Sequence, residues 1–522
     1  MRSTLVLLGV TILATAPTVA QTRYDLIIRG GRVLDGTGNP WIRADIGIVG
    51  DRIQAVGNLG SATAGRVIDA AGRYVTPGFI DVHSHAGPGL ESPGLAAAVS
   101  LLVQGITTVV VNPDGGGPTD LAAQRRALTA ASPGVNVALM VPHGSVRREV
   151  IGMADRPPTA PELDRMRALV RNGMASGAFG LSSGPFYAPG SFAKTDELVE
   201  LARTAGGAYT SHIRDEADYT VGVLAAVDEV IQIAEAAGIP GVVTHIKALG
   251  PNVWGLSTAI VRRIEEARRR GVEVVADQYP YDASSTGLGA ALLPRWAEAG
   301  GDTAMRRRLD DRSVQNKLRS DMAENLKRRG GPGRLMISRH RADPSLEGQR
   351  LDAIAAARGI DPLDAAVAIL KAGGAGVVSF NMDESDIGTL MRQPWTMTSS
   401  DGTLVPMNEG VPHPRAYGTF PRKLTRYVRD LGVVTLESAI RSMTSLPASV
   451  FRMADRGTIR AGAIADLNVF DLERVVDPTN YQRPHALASG IDFVIVGGGV
   501  AVDSGRTVTR RFGRVLSRPG SP

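Results

Sequence analysis

Apolar and polar residues alternate in short runs near the amino end of the chain, and the alternation returns near its carboxyl end. DLIIRGGRVLDG, ADIGIVG, DRIQAVG and GRVID follow one another within 24–75, separated by Gly and Asp. ADLNVFDLE (465–473) and DFVIVGGGVAVDSGRTV (492–508) repeat the style. A period of two between turn residues predicts small antiparallel strands. The segments 24–75 and 456–513 are therefore predicted to be two parts of one small β-sandwich domain.

Between them the period changes. Short apolar strands recur, each followed by a helix-length amphipathic segment: GFIDVHSH (78–85), TTVVVNPD (107–114), NVALMVPH (136–143), GAFGLSSG (177–184), GAYTSHI (207–213), GVVTHIKAL (241–249), VEVVADQYPY (272–281) and TMTSSDG (396–402). The helices read over 119–131, 160–174, 195–205, 221–237 and 258–270. Alternating strand and helix implies parallel βαβ units, and eight strands is the number that closes a (β/α)8 TIM barrel, here over 76–455. More than a hundred residues separate the seventh strand from the eighth. That predicts an insertion whose charged helices, about 290–345, form a packing module or a lid.

The first residues, MRSTLVLLGVTILATAPTVAQT, carry Arg2, an apolar run from Leu5 to Ala14 and the small-residue site Thr18-Val-Ala20. This layout predicts a secretory signal peptide over 1–20 and an exported, periplasmic mature protein. The apolar run is short for a bilayer span, and no other stretch reaches about 18 uncharged apolar residues, so no stable membrane insertion is expected.

Composition narrows the chemistry. The 522 residues include no Cys, which excludes a disulfide framework, thiolate metal ligands and a cysteine nucleophile. Lys and Arg exceed Asp and Glu by 58 to 52, giving a formal charge of +6. The basic residues are scattered, and their densest stretch, 306–341, also carries Asp310, Asp311, Asp321 and Glu324. Mixed runs of this kind read as solvated helix faces rather than a nucleic-acid surface.

Only eight histidines are available to hold a metal. In a TIM barrel the active site lies at the carboxyl ends of the strands. His83 and His85 end the first strand, two apart and so on one face. His212 ends the fifth and His245 the sixth, while Asp114 and Asp401 end the second and eighth. A lone His-x-His is common by chance, and Asp401 in Ser-Ser-Asp-Gly also suits a turn cap. Together the six form a plausible set of imidazole and carboxylate donors, which suit Zn²⁺, or Co²⁺, Mn²⁺ or Ni²⁺. His143, at the end of the third strand, is expected behind the ligands. His340 and His485 are expected at the surface, and His413 within reach of substrate. Arg214, Asp215 and Glu216 read either as orienting His212 or as a surface ion pair.

TPGFIDVHSH after a β-rich region resembles the amidohydrolase superfamily. GAFGLSSGPFYAPGSFAKTDEL, GGAYTSHIRDE, THIKALG, DQYPYDASST, SSDG, HPRAYGTFPR and the later MTSLPA and AGAIADLNVFD resemble the N-acyl-D-amino-acid deacylase (D-aminoacylase) family, in order from about Tyr24 to Gly513. The resemblance implies a hydrolase of linear amides holding one or two Zn²⁺ ions, with His83, His85, His212 and His245 as ligands and Asp401 as catalytic aspartate. It implies that metal-bound hydroxide attacks the amide carbonyl of a small N-acyl-D-amino acid, with Asp401 as base and then acid, releasing a carboxylate and a D-amino acid. Tyr187, Lys247 and a tyrosine of Tyr279-Pro-Tyr281 would receive the substrate carboxylate. Family members carry a metal-binding cysteine after the second strand, where this chain has Asp114. Asp114 is then either a replacing ligand able to bridge two ions or a loop residue beside a mononuclear site. Dipeptidase or cyclic-amide hydrolysis of D-residue substrates is the neighbouring reading, and a barrel kept only for binding is the remote one.

Overall fold

The computed structural model of the chain describes residues 23–520; the expected signal peptide, 1–20, lies outside them. Eight parallel strand positions follow one another around a central core. They are Phe79–Asp81, Ile106–Val111, Asn136–Leu139 continuing as Val141–Pro142, Gly180–Ser183, Ala208–Ser211, Gly241–Val243, Val274–Gln278 and Thr396–Thr398. Every residue of these strands is buried, so they lack the alternation of a half-solvated sheet; Val and Ile dominate the second and sixth, while the fourth, fifth and eighth also bury Ser, Thr and Tyr. The ladder is interrupted twice. Met140 divides the third strand, so that Asn136–Leu139 pairs with the second strand and Val141–Pro142 with the fourth. The eighth and first strands meet beyond their ends, where Asp401 N donates to His83 O (2.8 Å) and His85 N donates to Gly402 O (2.9 Å).

The connecting helices pack their apolar faces on this sheet. Val223–Ala237 buries seven residues, including Val227, Val230, Ile231 and Ala234, and ends at Gly238 with φ +66°. A left-handed residue after the last turn costs glycine little and satisfies the final carbonyls. Leu121–Ala131 begins at Asp120, whose side chain accepts from Ala123 N and caps the free amides of the first turn.

Both chain ends build one hydrogen-bonded sheet of nine strands beside the barrel. Leu467–Phe470 from the carboxyl end pairs antiparallel with Tyr74–Pro77 from the amino end, which in turn pairs with Tyr24–Val33. Leu26, Ile28, Ile46, Ile48, Val75, Val469 and Ile495 meet in its core. The chain then runs back to the barrel, where Leu516 N donates to Val137 O on the third strand.

The insertion between the seventh and eighth strands is larger than its charged stretch suggested. It contains a three-stranded antiparallel sheet, Ser284–Gly287, Leu335–Arg339 and Gly376–Ser379, together with helices such as Arg312–Arg328 and Pro362–Lys371. Its own core includes Leu288, Leu292, Leu326, Leu335, Ile354 and Ile369. Among the described residues no helix is long and apolar enough to cross a membrane.

Candidate metal centre

The barrel strands stop short of the residues predicted to end them. The first strand closes at Asp81, and His83 and His85 occupy the irregular segment beyond it. His-Ser-His therefore does not converge through strand alternation. Its geometry comes from the backbone bonds to residues 401 and 402. Asp114, His245 and Asp401 adopt left-handed φ of +56°, +35° and +51°. Such backbone costs a residue with a side chain about 1–3 kcal/mol, and it clusters where a site must aim side chains.

Two buried aspartates hold these turns. Asp81 accepts from Ser400 N at 2.8 Å and from the Ser400 hydroxyl, fixing the turn that carries Asp401. Burial lifts the Asp81 pKa to about 6 against those bonds. Asp277 Oδ1 accepts from His245 N at 2.9 Å and from Ser399 Oγ at 2.6 Å, tying the sixth strand to the eighth.

Asp114 sits in the middle. Its Oδ1 lies 3.2 Å from His83 Nε2, 3.6 Å from His245 Nε2 and 3.7 Å from His212 Nδ1, and its Oδ2 lies 3.3 Å from His85 Nε2. Asp401 Oδ1 lies 3.1 Å from His85 Nε2 and 3.7 Å from His83 Nε2. Potential donor atoms of His83, His85, Asp114 and Asp401 all fall within 4.8 Å of one another, and so do those of Asp114, His212 and His245. All six predicted donors are thus brought together, with Asp114 common to both groups.

Several of these atoms lack a hydrogen-bond partner although buried: His83 Nε2, Asp114 Oδ1 and both ring nitrogens of His212. Buried polar atoms normally find partners, and an unpaired set of imidazole and carboxylate donors fits a divalent cation. The electrostatics agree. Burial opposes ionisation of Asp114, but His83, His245 and His85 hold its carboxyl well below the usual range. Asp401 is likewise held anionic against burial, chiefly by Arg415. Burial pushes His212 down to about 3, keeping it neutral with a lone pair to donate. Burial also disfavours charge on His85, yet Asp114 and Asp401 raise it to about 10. Ring protons thus balance the carboxylates, and that is the charge a bound divalent cation replaces.

Glu216 was legible only as one of two alternatives, and the surface one fails because it is buried. Its Oε1 lies 3.0 Å from His245 Nδ1, it pairs with Lys247 Nζ, and its Oε2 lies 3.7 Å from His212 Nε2. Carboxylates behind imidazoles orient metal-binding rings in this way. Arg214 instead pairs with Glu229 at 2.7 Å, and Asp215 accepts from Ala217 N, Thr220 N and Gly222 N to shape its own loop.

The site opens into a cavity of about 870 Å³. Tyr187, Lys247 and Tyr279 line it, but Tyr281 does not; its ring packs against His413 at 4.9 Å and beneath Arg422. Lys247 is already engaged, 2.6 Å from His245 Nδ1 and paired with Glu216. Arg415, in the HPRAYGTFPR stretch, was given no role from sequence. It lines the cavity with Nη1 2.7 Å from Asp401 Oδ2 and its guanidinium 4.9 Å from the Tyr279 ring centre. His413 does not line the cavity. It accepts from Arg415 N at 3.0 Å and bonds Ala283 O, so it fixes the arginine's backbone. His143 pairs with Glu197 (2.9 Å), which also holds Arg147, rather than with a donor of the centre. His340 is buried against Gly374 O at 2.9 Å, and His485 lies partly buried between Tyr417 Oη and Gly410 O; neither is a free surface residue.

Residues 66–502 match the model of the amidohydrolase family. The chain is 38% identical to an N-acyl-D-glutamate deacylase of Alcaligenes xylosoxydans xylosoxydans over 96% of this chain and 98% of that protein. It superposes with a TM-score of 0.80 on the N-acyl-D-glutamate deacylase of Bordetella bronchiseptica, solved with zinc and a phosphonate inhibitor. That protein is 36% identical, and the match covers 95% of this chain and 100% of that one. A D-aminoacylase studied for its binuclear metal center gives 0.80 at 35% identity with the same coverage. The chain belongs to the amidohydrolase family, on the branch that includes the N-acyl-D-amino-acid deacylases.

Proposed function

We propose that the protein is an exported, metal-dependent deacylase that hydrolyses N-acyl-D-amino acids to a carboxylate and a free D-amino acid. The observation that carries the reading is the position of Asp114 within both donor groups, which suits a shared carboxylate between two ions. His83, His85, Asp114 and Asp401 would hold one zinc ion, and Asp114, His212 and His245 the other. Zinc bound there supplies Lewis-acid polarisation of the amide carbonyl and acidifies water.

The chain's own groups do the rest. Asp401 is anionic and faces the donors, so it accepts a proton from the attacking water and returns it to the leaving amine, which departs poorly as an anion. Arg415 holds Asp401 by one oxygen and turns its guanidinium to the cavity, where it and Tyr279 suit the α-carboxylate of the substrate. Tyr187 stays protonated, its pKa raised above the ordinary phenol range by burial and by Asp114, and offers a hydroxyl near His212. Export rests on the charged, apolar and small-residue layout of 1–20.

Asp401→Asn tests the proposal. The expected outcome is retention of the zinc held by Asp114, His212 and His245, with turnover of N-acetyl-D-amino acids lowered at least 100-fold, the scale of general acid–base catalysis. Near wild-type turnover in folded, metal-loaded protein would overturn it.

A further inference from the structure

A second hollow of about 670 Å³ lies where the insertion meets the barrel, and it adjoins the catalytic cavity, because Arg148 and Ala188 line both. The insertion's first strand, Ser284–Gly287, runs from one to the other: Ser284, Ser285 and Thr286 line the cavity, Gly287 and the following Leu288 the hollow. The walls of the hollow are largely apolar. Leu288, Leu293 and Leu370 belong to the insertion's own core and are at most 3% exposed. Met305 stands half-buried against that core, and Met153 supplies the barrel side. Methionine side chains are unbranched and adapt to irregular apolar guests. A Cβ placed on Gly287, Gly373 or Gly374, which also line the hollow, would meet nothing within 4 Å, so the backbone leaves the trough open. Arg148, Arg306 and Arg341 are exposed, and such side chains lay their aliphatic stems on apolar surface while the charged heads stay in water.

The position of the hollow says which end of a substrate meets it. In a barrel of eight strands, the third and fourth stand across from the seventh and eighth. Tyr279 and Arg415, the counterparts of the α-carboxylate in the reading above, follow the seventh and eighth strands. Arg148 and Ala188 follow the third and fourth. With the amide carbonyl at the donors between these walls, the amino-acid half lies toward Tyr279 and Arg415, and the acyl group points to the wall where the hollow begins. We infer that the hollow receives the acyl chain, and that the enzyme favours N-acyl-D-amino acids with long aliphatic acyl groups over their N-acetyl counterparts. This inference rests on the deacylase reading above. An acetyl group ends inside the cavity, whereas each further methylene leaves water for an apolar wall. Full burial is worth roughly fourfold in affinity per methylene, and a trough open on one side gives less. Contacts so far from the amide are the same in ground and transition states, so the gain falls on KM rather than kcat.

The test measures kcat and KM of the zinc-loaded protein for the N-acetyl, N-hexanoyl and N-decanoyl derivatives of one D-amino acid, each below its critical micelle concentration. Wild type is expected to gain roughly 30-fold or more in kcat/KM from acetyl to decanoyl, chiefly through KM. Met305→Asp and Met153→Asp each set a carboxylate in the hollow, one from the insertion and one from the barrel. In either variant the gain is expected to fall to about threefold or less, since a chain methylene beside a charge gains little by leaving water. Wild-type kcat/KM that is flat or falls with chain length overturns the inference, and it does so without needing a variant to fold. A gain kept in full by both folded variants overturns it too, because the chain then lies elsewhere. Both results leave D-specific deacylation standing, whereas absence of turnover at every chain length on every D-amino acid removes the underlying reading and the inference with it.

Discussion

Asp114 Oδ1 lies 3.2 Å from His83 Nε2, and neither atom has a hydrogen-bond partner. The same carboxylate stands within 3.7 Å of His85, His212 and His245. A carboxylate so placed joins the two donor groups. Asp114→Ala is therefore expected to lower zinc from two ions per chain to one or fewer by elemental analysis, with activity falling at least 100-fold. Asp114→Cys is expected to restore binding and shift preference toward softer ions such as Cd²⁺. Unchanged zinc content in Asp114→Ala would contradict the shared-ligand geometry.

Glu216 and Lys247 form a buried pair behind the rings of His212 and His245. Burial opposes ionisation of Glu216, and Lys247 is the chief influence that keeps its carboxyl low. Removing one member of such a pair strands the other, at about 3–5 kcal/mol. Glu216→Ala is expected to lower the melting temperature markedly, while Glu216→Ala/Lys247→Met recovers part of the loss. Additive losses in the double variant would show that the two residues are not coupled.

Lys423 is buried with only Thr398 Oγ1 (2.8 Å) and Ser442 Oγ (2.9 Å) for partners. Burial drops its pKa from 10.5 to about 7. Between pH 7 and about 10 the unfolded chain then carries a proton that the folded chain lacks, so this lysine's contribution improves as pH rises, by about 1.4 kcal/mol per unit. Below pH 7 the full penalty is present. Lys423→Met is expected to melt above wild type at pH 6.5, with the gap closing toward pH 10. A gap independent of pH would contradict a lysine neutralised by burial.

The barrel was legible because short strands rich in buried Val and Ile, such as 106–111 and 274–278, alternate with helix-length amphipathic segments along the chain. The six donors were legible because they fall at the same place, just past the strand, in five of the eight βα units. The pieces that escaped depend on contacts far apart in sequence. Nothing local to Arg415 announces that it meets Asp401, and Glu216 looks like surface charge until Lys247 lies beside it. Tyr279 and Tyr281 are equivalent on paper; only packing against His413 and Arg422 removes Tyr281 from the cavity. His340 and His485 were placed at the surface for want of a strand beneath them, yet the sheet of the insertion and the loop at Gly410 cover them. That sheet was missed because Ser284–Gly287 and Gly376–Ser379 are four residues each, nearly ninety apart, and pair only with one another and Leu335–Arg339.

The most direct measurement is release of free amine from matched N-acetyl-D- and N-acetyl-L-amino acids by the purified protein, before and after chelation and again after zinc is restored. The account predicts turnover confined to the D series, abolished by the chelator and recovered with zinc. Turnover of the L series, or D-series turnover that survives removal of metal, would contradict it.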